Sequence, residues 1–298
     1  MPVIFSGLLK PEYRARPSQL IRRAWRGLRA SPPTVCVRLP WGTDLEINPE
    51  ETIGRQIYMM GVFDLSVSEA LWRLTEAGTT VFDVGGNIGY TSSILTRAVG
   101  PRGRVHAFEP HPEVASKFRA NARRWPVPPN ATVTLHETAL GRSGGTIDLC
   151  MPDGFGSNQG LASICSAKGG MATVSVSLRT LDSMVETLGT PSLLKIDVEG
   201  AEEEVLEGSH QALASRAIRD VVFEDEGPMP TAPFRILTRY GYTLFSLRVS
   251  DQGPIVTPVG EPAPALRLWD TPGYLATLDV ARMRDRFKKI GWRCLQGK

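Results

Sequence analysis

The chain has four cysteines and four histidines in 298 residues, and none stands at metal-ligand spacing. Without a CxxC pair or a regular ladder, Cys36, Cys150, Cys165 and Cys294 give no basis for a structural zinc site, and their usage suits a reducing compartment. No apolar run reaches membrane-spanning length or precedes a cleavage-like site, so a cytoplasmic protein is expected. Also missing are an N-P-P-Y-like motif and a basic stripe interleaved with aromatics, which argues against an enzyme acting on nucleic acid. The phosphate-cradling G-x-G-x-x-G fingerprint is absent as well.

What is present is organised around residues 80–109. Thr80 to Val84 reads as a short buried strand, glycines 85, 86 and 89 turn the chain tightly, and a helix is expected from Asn87 to Ala98. Arg104 to Phe108 is a second apolar strand with Glu109 just past its end. The unit places an acid at the carboxyl end of each strand, where open α/β sheets bind ligands. Asp83 would repel a phosphate, whereas a glycine turn behind it suits a zwitterionic amino-acid tail. Glu109 suits a ribose diol, held through paired hydrogen bonds to its carboxylate. Together these features describe a site for S-adenosylmethionine.

Hydrophobic residues make up 42%, ordinary for a globular chain, and the formal charge is +3. Its distribution is uneven: residues 1–40 hold eight bases against one acid and residues 281–298 seven against one, leaving the middle with 19 bases against 29 acids. Basic ends suit nucleic acid, an acyl-phosphate carrier, an acidic carrier protein, a membrane surface, a second copy of the chain or plain solvent. Three regions are expected: a basic helical and hairpin extension over 1–60, the main domain over 61–280, and a basic helix and tail over 281–298. Within the first, a basic helix falls near 18–28 and a hairpin flanks Pro40 to Thr43.

Two helical pieces, Glu51 to Tyr58 and Ser66 to Glu76, lead into the first strand, and Arg55, Tyr58 and Phe63 are candidate lid residues. Thr132 to Leu135 is a third strand, and Glu137 just beyond it is placed near an adenine. Thr146 to Met151 reads as a further strand, followed by the Gly/Ser/Ala-rich stretch 152–170. Strands at Ser192 to Asp197 and Ile218 to Phe223 flank a helix from Ala201 to Leu213. Tyr242 to Val249 and Tyr274 to Leu278 complete a seven-stranded, mostly parallel sheet with helices on both faces, an α/β fold of the class I methyltransferase-like Rossmann kind.

Asp83, Glu109, Asp197 and Glu224 would then emerge at one sheet edge. Asp83, Gly85, Gly86, Asn87, Gly89, Glu109 and Glu137 are the candidate cofactor residues. Asp197 and Glu224 are left for the acceptor side, where a carboxylate can orient or deprotonate a hydroxyl. Alternatively two carboxylates could share magnesium, although no metal site is expected. Lys195 reads as an ion-pair or packing residue.

Five segments carry a family resemblance: FDVGGNIG at 82–89, VHAFEP at 105–110, Thr-Leu-Asp at 180–182, LLKIDVEGAEEEVLEG at 193–208 and VVFE at 221–224. The chain resembles the FkbM family of S-adenosylmethionine-dependent methyltransferases from about residue 60 to 247, with glycine at 86 where that family commonly has alanine. The resemblance implies cofactor binding by Asp83, Gly85, Asn87, Gly89 and Glu109. It also puts Asp197, Glu199 and Glu202 at or beside the active centre. It implies O-methylation of a hydroxyl on a sugar or specialised metabolite; N-methylation of an amine or peptide-like metabolite is the alternative.

Overall fold

The computed structural model describes residues 10–15, 17, 19–20, 33–151, 163–164, 172–227, 229–267 and 270–297. Most of the basic helix expected near 18–28 and most of the stretch 152–170 lie outside them. The chain begins with helix α1 (Pro11–Ala15) and the strands β1 (Val35–Arg38) and β2 (Asp44–Ile47). These strands form the expected antiparallel hairpin, pairing Val35 with Ile47 and Arg38 with Asp44. Trp41 at its tip is buried and donates its indole N–H to Ser93 Oγ at 3.0 Å, pinning the hairpin to the main domain.

Helices α2 (Thr52–Met60) and α3 (Leu65–Leu74) are the two expected pieces, separated at Gly61 in the left-handed region. Asp64 caps α3 by accepting from the Val67 N–H at 2.9 Å. Next come β3 (Thr80–Val84), α4 (Tyr90–Val99), β4 (Arg104–Phe108), α5 (Pro112–Ala122) and β5 (Thr132–His136). The strands β6 (Ala139–Leu140), β7 (Gly145–Met151), β8 (Ser163–Ile164) and β9 (Ala172–Arg179) make a separate sheet, ordered β6-β9-β7-β8. The sequence reading had no strand at β9, although its signal was available: Thr173, Ser175 and Ser177 are exposed, alternating with more buried Val174, Val176 and Leu178. Cys150 in β7 is disulfide-bonded while Cys36 and Cys294 are free, so a uniformly reduced set of cysteines does not describe this fold.

The chain continues through α6 (Leu181–Leu188), β10 (Leu193–Ile196), α7 (Glu202–Glu207), α8 (His210–Ala214), β11 (Asp220–Glu224) and α9 (Ala232–Arg239). The single helix expected from Ala201 to Leu213 is thus two. Gly208 breaks it by packing so closely on Gly141 that a Cβ there would lie 2.0 Å from the Gly141 carbonyl oxygen. The Thr-Leu-Asp segment serves this break. Thr180 caps α6, and the Asp182 carboxylate accepts the Gln211 and Ala212 N–H groups at 2.9 and 2.8 Å, starting α8.

The last elements are β12 (Thr243–Ser250), β13 (Gly253–Pro258), β14 (Gly273–Thr277) and α10 (Val280–Phe287). The main sheet runs β13-β12-β14-β11-β10-β3-β4-β5, parallel from β5 to β11 and antiparallel beyond. All seven expected strands are there, and β13 adds an eighth at the edge. Period-two alternation divides each central strand between two cores. Val81 and Leu193 face the cluster containing Leu71, Ile94 and Phe118, whereas Phe82, Val84, Leu194 and Ile196 face that of Val205, Leu213 and Leu237.

The C-terminal bases are partly consumed inside the fold. Arg282 bonds Glu76 and Asp220 at 2.8 and 2.9 Å, and Arg286 reaches Glu76 at 3.1 Å. Trp292, Cys294 and Leu295 are buried, and the Glu69 carboxylate accepts the Arg293 and Cys294 N–H groups. Among the described residues no helix is long and apolar enough to cross a membrane.

Candidate active site

Strand register assembles the site. β10 lies beside β3 with Lys195 opposite Asp83, and beside β11 with Ile196 opposite Phe223. Asp197 and Glu224 therefore leave neighbouring strands together. On the other side Asp83 pairs with Ala107, two residues before Glu109. A cavity of about 400 Å³ opens at this edge, and Gly85, Gly86, Asn87, Glu109, Asp197 and Glu224 are all on its wall. Its volume falls in the range that takes a small ligand or cofactor, about 300–1,000 Å³.

Lys195 is the buried centre of the site. Its Nζ donates to the Gly85 carbonyl oxygen at 2.8 Å and lies 3.3 Å from both Asp83 Oδ1 and Asp197 Oδ2. Burial works against its charge, but Asp197, Asp83 and Glu224 together outweigh that and hold the ammonium above the usual lysine range. Asp83 also accepts from Thr91 Oγ1 at 2.8 Å and Ser92 Oγ at 2.5 Å, so it is fully buried yet well satisfied. The expected ion-pair role of Lys195 is its geometry here.

The glycine turn is built for close approach. Gly85 has φ +82°, and a Cβ on it would lie 1.7 Å from the Asp197 carbonyl oxygen, so only glycine lets β3 leave the sheet beside β10. Gly89 at φ +94° caps α4, which is why that helix starts at Tyr90 rather than Asn87. Gly86 is different: its φ is ordinary, and a Cβ would meet Phe118 at 3.1 Å and Ala107 at 3.4 Å. Gly86→Ala is expected to change stability by no more than about 1 kcal/mol, the scale of a glycine replacement whose backbone alanine can adopt, whereas Gly85→Ala leaves no stable fold at 37 °C. Thermal denaturation of both variants checks this contrast.

Glu109 is 8% exposed and accepts the Asn87 N–H at 3.0 Å and the His111 N–H at 2.9 Å. Burial pushes its carboxyl up to about 7, against the pull of those two amides. Glu224 is raised well above the usual carboxylate range, first by burial and then by Asp197 and Asp64. Asp64 is itself raised by burial, although Thr271, Val67 and Ser66 all donate to it. Thr271 is on the cavity wall and links Asp64 to the Glu224 side. Neither Asp64 nor Thr271 was singled out in the sequence; a capping Asp and a loop threonine 207 residues apart carry no local pattern.

Several expectations need correcting in detail. Glu137 is on the surface, paired with Arg119, and the cavity wall takes Thr138, Ala139 and Leu140 from that strand end instead. Of Arg55, Tyr58 and Phe63 only Phe63 reaches the cavity; Arg55 is exposed and bonds the Glu50 carbonyl oxygen, and Tyr58 packs on the core. Helix α2 presents Thr52, Ile53 and Gln56 instead, one helical face. Glu202 braces the turn after β10 by accepting the Val198 and Gly200 N–H groups at 3.0 and 3.3 Å, while Glu199 at φ +54° is exposed at the rim. Among the described residues no group of three His, Cys, Asp or Glu is arranged to hold a metal ion.

Sheet order, glycine turn and acidic strand ends together define an α/β methyltransferase architecture. The family model of the FkbM methyltransferase domain matches residues 83–244, more than half the chain. The chain belongs to the FkbM methyltransferase family. It is 33% identical over 142 residues to the hexuronic acid methyltransferase AglP of Haloferax volcanii, a match covering 47% of this chain and 54% of that protein. The chain thus spans about half the length of this curated relative. Similar solved structures include a precorrin-6y C5,15-methyltransferase from Geobacter metallireducens, at 15% identity and TM-score 0.41 over 72% of this chain and 87% of that one. Another is an S-adenosylmethionine-dependent O-methyltransferase from Thermotoga maritima, at 15% identity and TM-score 0.39 over 82% of this chain and 77% of that one.

Proposed function

We propose that the protein transfers a methyl group from S-adenosylmethionine to a hydroxyl of a sugar-like small molecule. The observation that carries this reading is the division of one cavity into two chemically different halves. Along the strand order β11-β10-β3-β4 its wall runs from Glu224 and Asp197, with Thr271 beside Glu224, to the glycine turn and Glu109. The residues fit the donor: a buried carboxylate held by two backbone N–H groups keeps lone pairs for a ribose diol. When bound there, S-adenosylmethionine supplies an electrophilic methyl group on a sulfonium. Asp83, Lys195 and Asp197 form the rigid charged floor beneath it.

On the acceptor side Asp197 orients the hydroxyl and takes up its proton, while its ion pair with Lys195 fixes the carboxylate in place. Alignment of the hydroxyl and exclusion of water supply much of the remaining rate. The hexuronic acid named for the Haloferax relative makes a sugar hydroxyl the first acceptor to try. Incubation with labelled S-adenosylmethionine and a panel of hexoses and hexuronic acids tests this. Label on a sugar oxygen supports the reading; label only on nitrogen, in a matching panel of amines, replaces it with N-methylation.

A pH effect follows from Glu109. Its carboxyl, raised to about 7, is mainly protonated below that pH and ionised above it. The ionised form accepts both ribose hydroxyls, so affinity for S-adenosylhomocysteine is expected to rise as pH goes from 6 to 8. In Glu109→Gln that rise should be absent. Because the folded value lies above the ordinary carboxylate value, this group's stability contribution is present at low pH and lost as pH rises through about 7.

A further inference from the structure

Residues before the hairpin reach the acceptor side through a chain of bonds. Glu12 in α1 is 3% exposed, although it is a carboxylate near the amino end. Its partner is Arg267, whose Nη2 donates to Glu12 Oε1 at 3.0 Å. The same guanidinium grips Asp270 with two bonds of 2.7 Å, from Nε to Oδ2 and from Nη2 to Oδ1. Thr271 follows directly and donates to Asp64 Oδ2 at 2.5 Å. Pro272 then accepts the Asp225 N–H at 3.3 Å, joining this segment to the end of β11 just beyond Glu224. Tyr13 ties the same α1 to the end of α2 by donating its hydroxyl to the Met59 carbonyl oxygen at 3.2 Å.

We infer that Glu12 and Arg267 are positioning residues for the methyl acceptor, acting through Asp270 and Thr271 to hold the Glu224 side of the cavity in place. The inference rests on the reading above that the acceptor lies on that side. Geometry supports it in two ways. A planar guanidinium bonded to two carboxylates has little freedom, so Asp270 and hence Thr271 are held to one position. Burying Glu12 would also be unfavourable unless its charge were paired, and Arg267 provides that pairing. Glu109 and the glycine turn have holding contacts of their own: Glu109 accepts the Asn87 and His111 N–H groups, and the turn is bonded to the Phe108 carbonyl oxygen and to Lys195. The N-terminal segment is thereby an element of acceptor recognition.

The test uses the full chain carrying Glu12→Gln, Arg267→Met, Thr271→Val, and Glu12→Gln combined with Thr271→Val. With a sugar acceptor from the panel, Glu12→Gln and Arg267→Met are each expected to raise KM about tenfold while kcat stays within about threefold, the signature of lost uniform binding. S-adenosylhomocysteine affinity should stay within about twofold, since the donor contacts are untouched. In the Thr271→Val background Glu12→Gln should add nothing, because its effect passes through Thr271. Unchanged KM in both single variants overturns the inference, as does a parallel loss of KM, donor affinity and melting temperature. Hydrogen exchange keeps the two readings separable: faster exchange of the Thr271 and Gly273 amides in Glu12→Gln, with residues 85–91 unchanged, upholds the positioning chain even if no sugar is methylated. Unchanged exchange at those amides overturns it.

Discussion

Asp197→Asn is expected to lower kcat by about 10²–10⁴-fold, the range contributed by a positioned acid or base, while S-adenosylhomocysteine binding persists. Asparagine keeps the shape of the side chain and leaves the backbone undisturbed, so the close packing of Gly85 on the Asp197 carbonyl survives. Lys195 retains Asp83 and the Gly85 carbonyl oxygen as partners, so the floor of the site stays assembled. What is lost is the one carboxylate at this edge that combines partial exposure with a fixed ion pair. Single-turnover methyl transfer across pH separates the two halves of the claim. The variant should be slow at every pH. Full turnover with an unchanged profile would remove Asp197 from proton handling and leave alignment alone.

Lys195→Met should lower stability by about 3–5 kcal/mol, the usual cost of stripping the partner from a buried charge. The methionine fits the space, but Asp83 is 0% exposed and would keep its charge with only two hydroxyl donors. The sign of the pH dependence follows. In the wild type the folded lysine is raised above its ordinary value, so its contribution is intact below about 10.4 and lost only at higher pH. In the variant that contribution is absent throughout the range below it, so chemical denaturation at pH 5 and pH 8 should show a deficit at both.

The parts of this fold that were legible in the sequence are those in which one short stretch carries its own pattern. The glycine turn, the apolar strands around it and the acidic residues at their ends follow from local chemistry, and their register brings Glu109, Asp197 and Glu224 to one cavity with Asp83 buried behind it on Lys195. The break at Gly208 was not legible, because its cause is Gly141, 67 positions earlier in the chain and adjacent only after folding. Glu137 shows the limit of reading by strand ends: one residue's shift along the strand puts Thr138 on the cavity and Glu137 against Arg119. Phe63 reached the cavity and Arg55 did not because helical spacing turns Thr52, Ile53 and Gln56 inward. The Glu12 to Thr271 chain was hidden for a simpler reason, since ion pairs across 255 residues leave no trace in local composition.

The most direct test of the account is calorimetric titration of the wild-type chain and Glu109→Ala with S-adenosylhomocysteine, with NAD as the control ligand. The expected result is saturable binding at one site in the wild type, at least about tenfold weaker binding in Glu109→Ala, since hydrogen bonds to a charged group are worth about 1.5–3 kcal/mol, and no binding of NAD. No binding in the wild type, or equal affinity in the two proteins, would contradict a donor site built on Glu109 and the glycine turn.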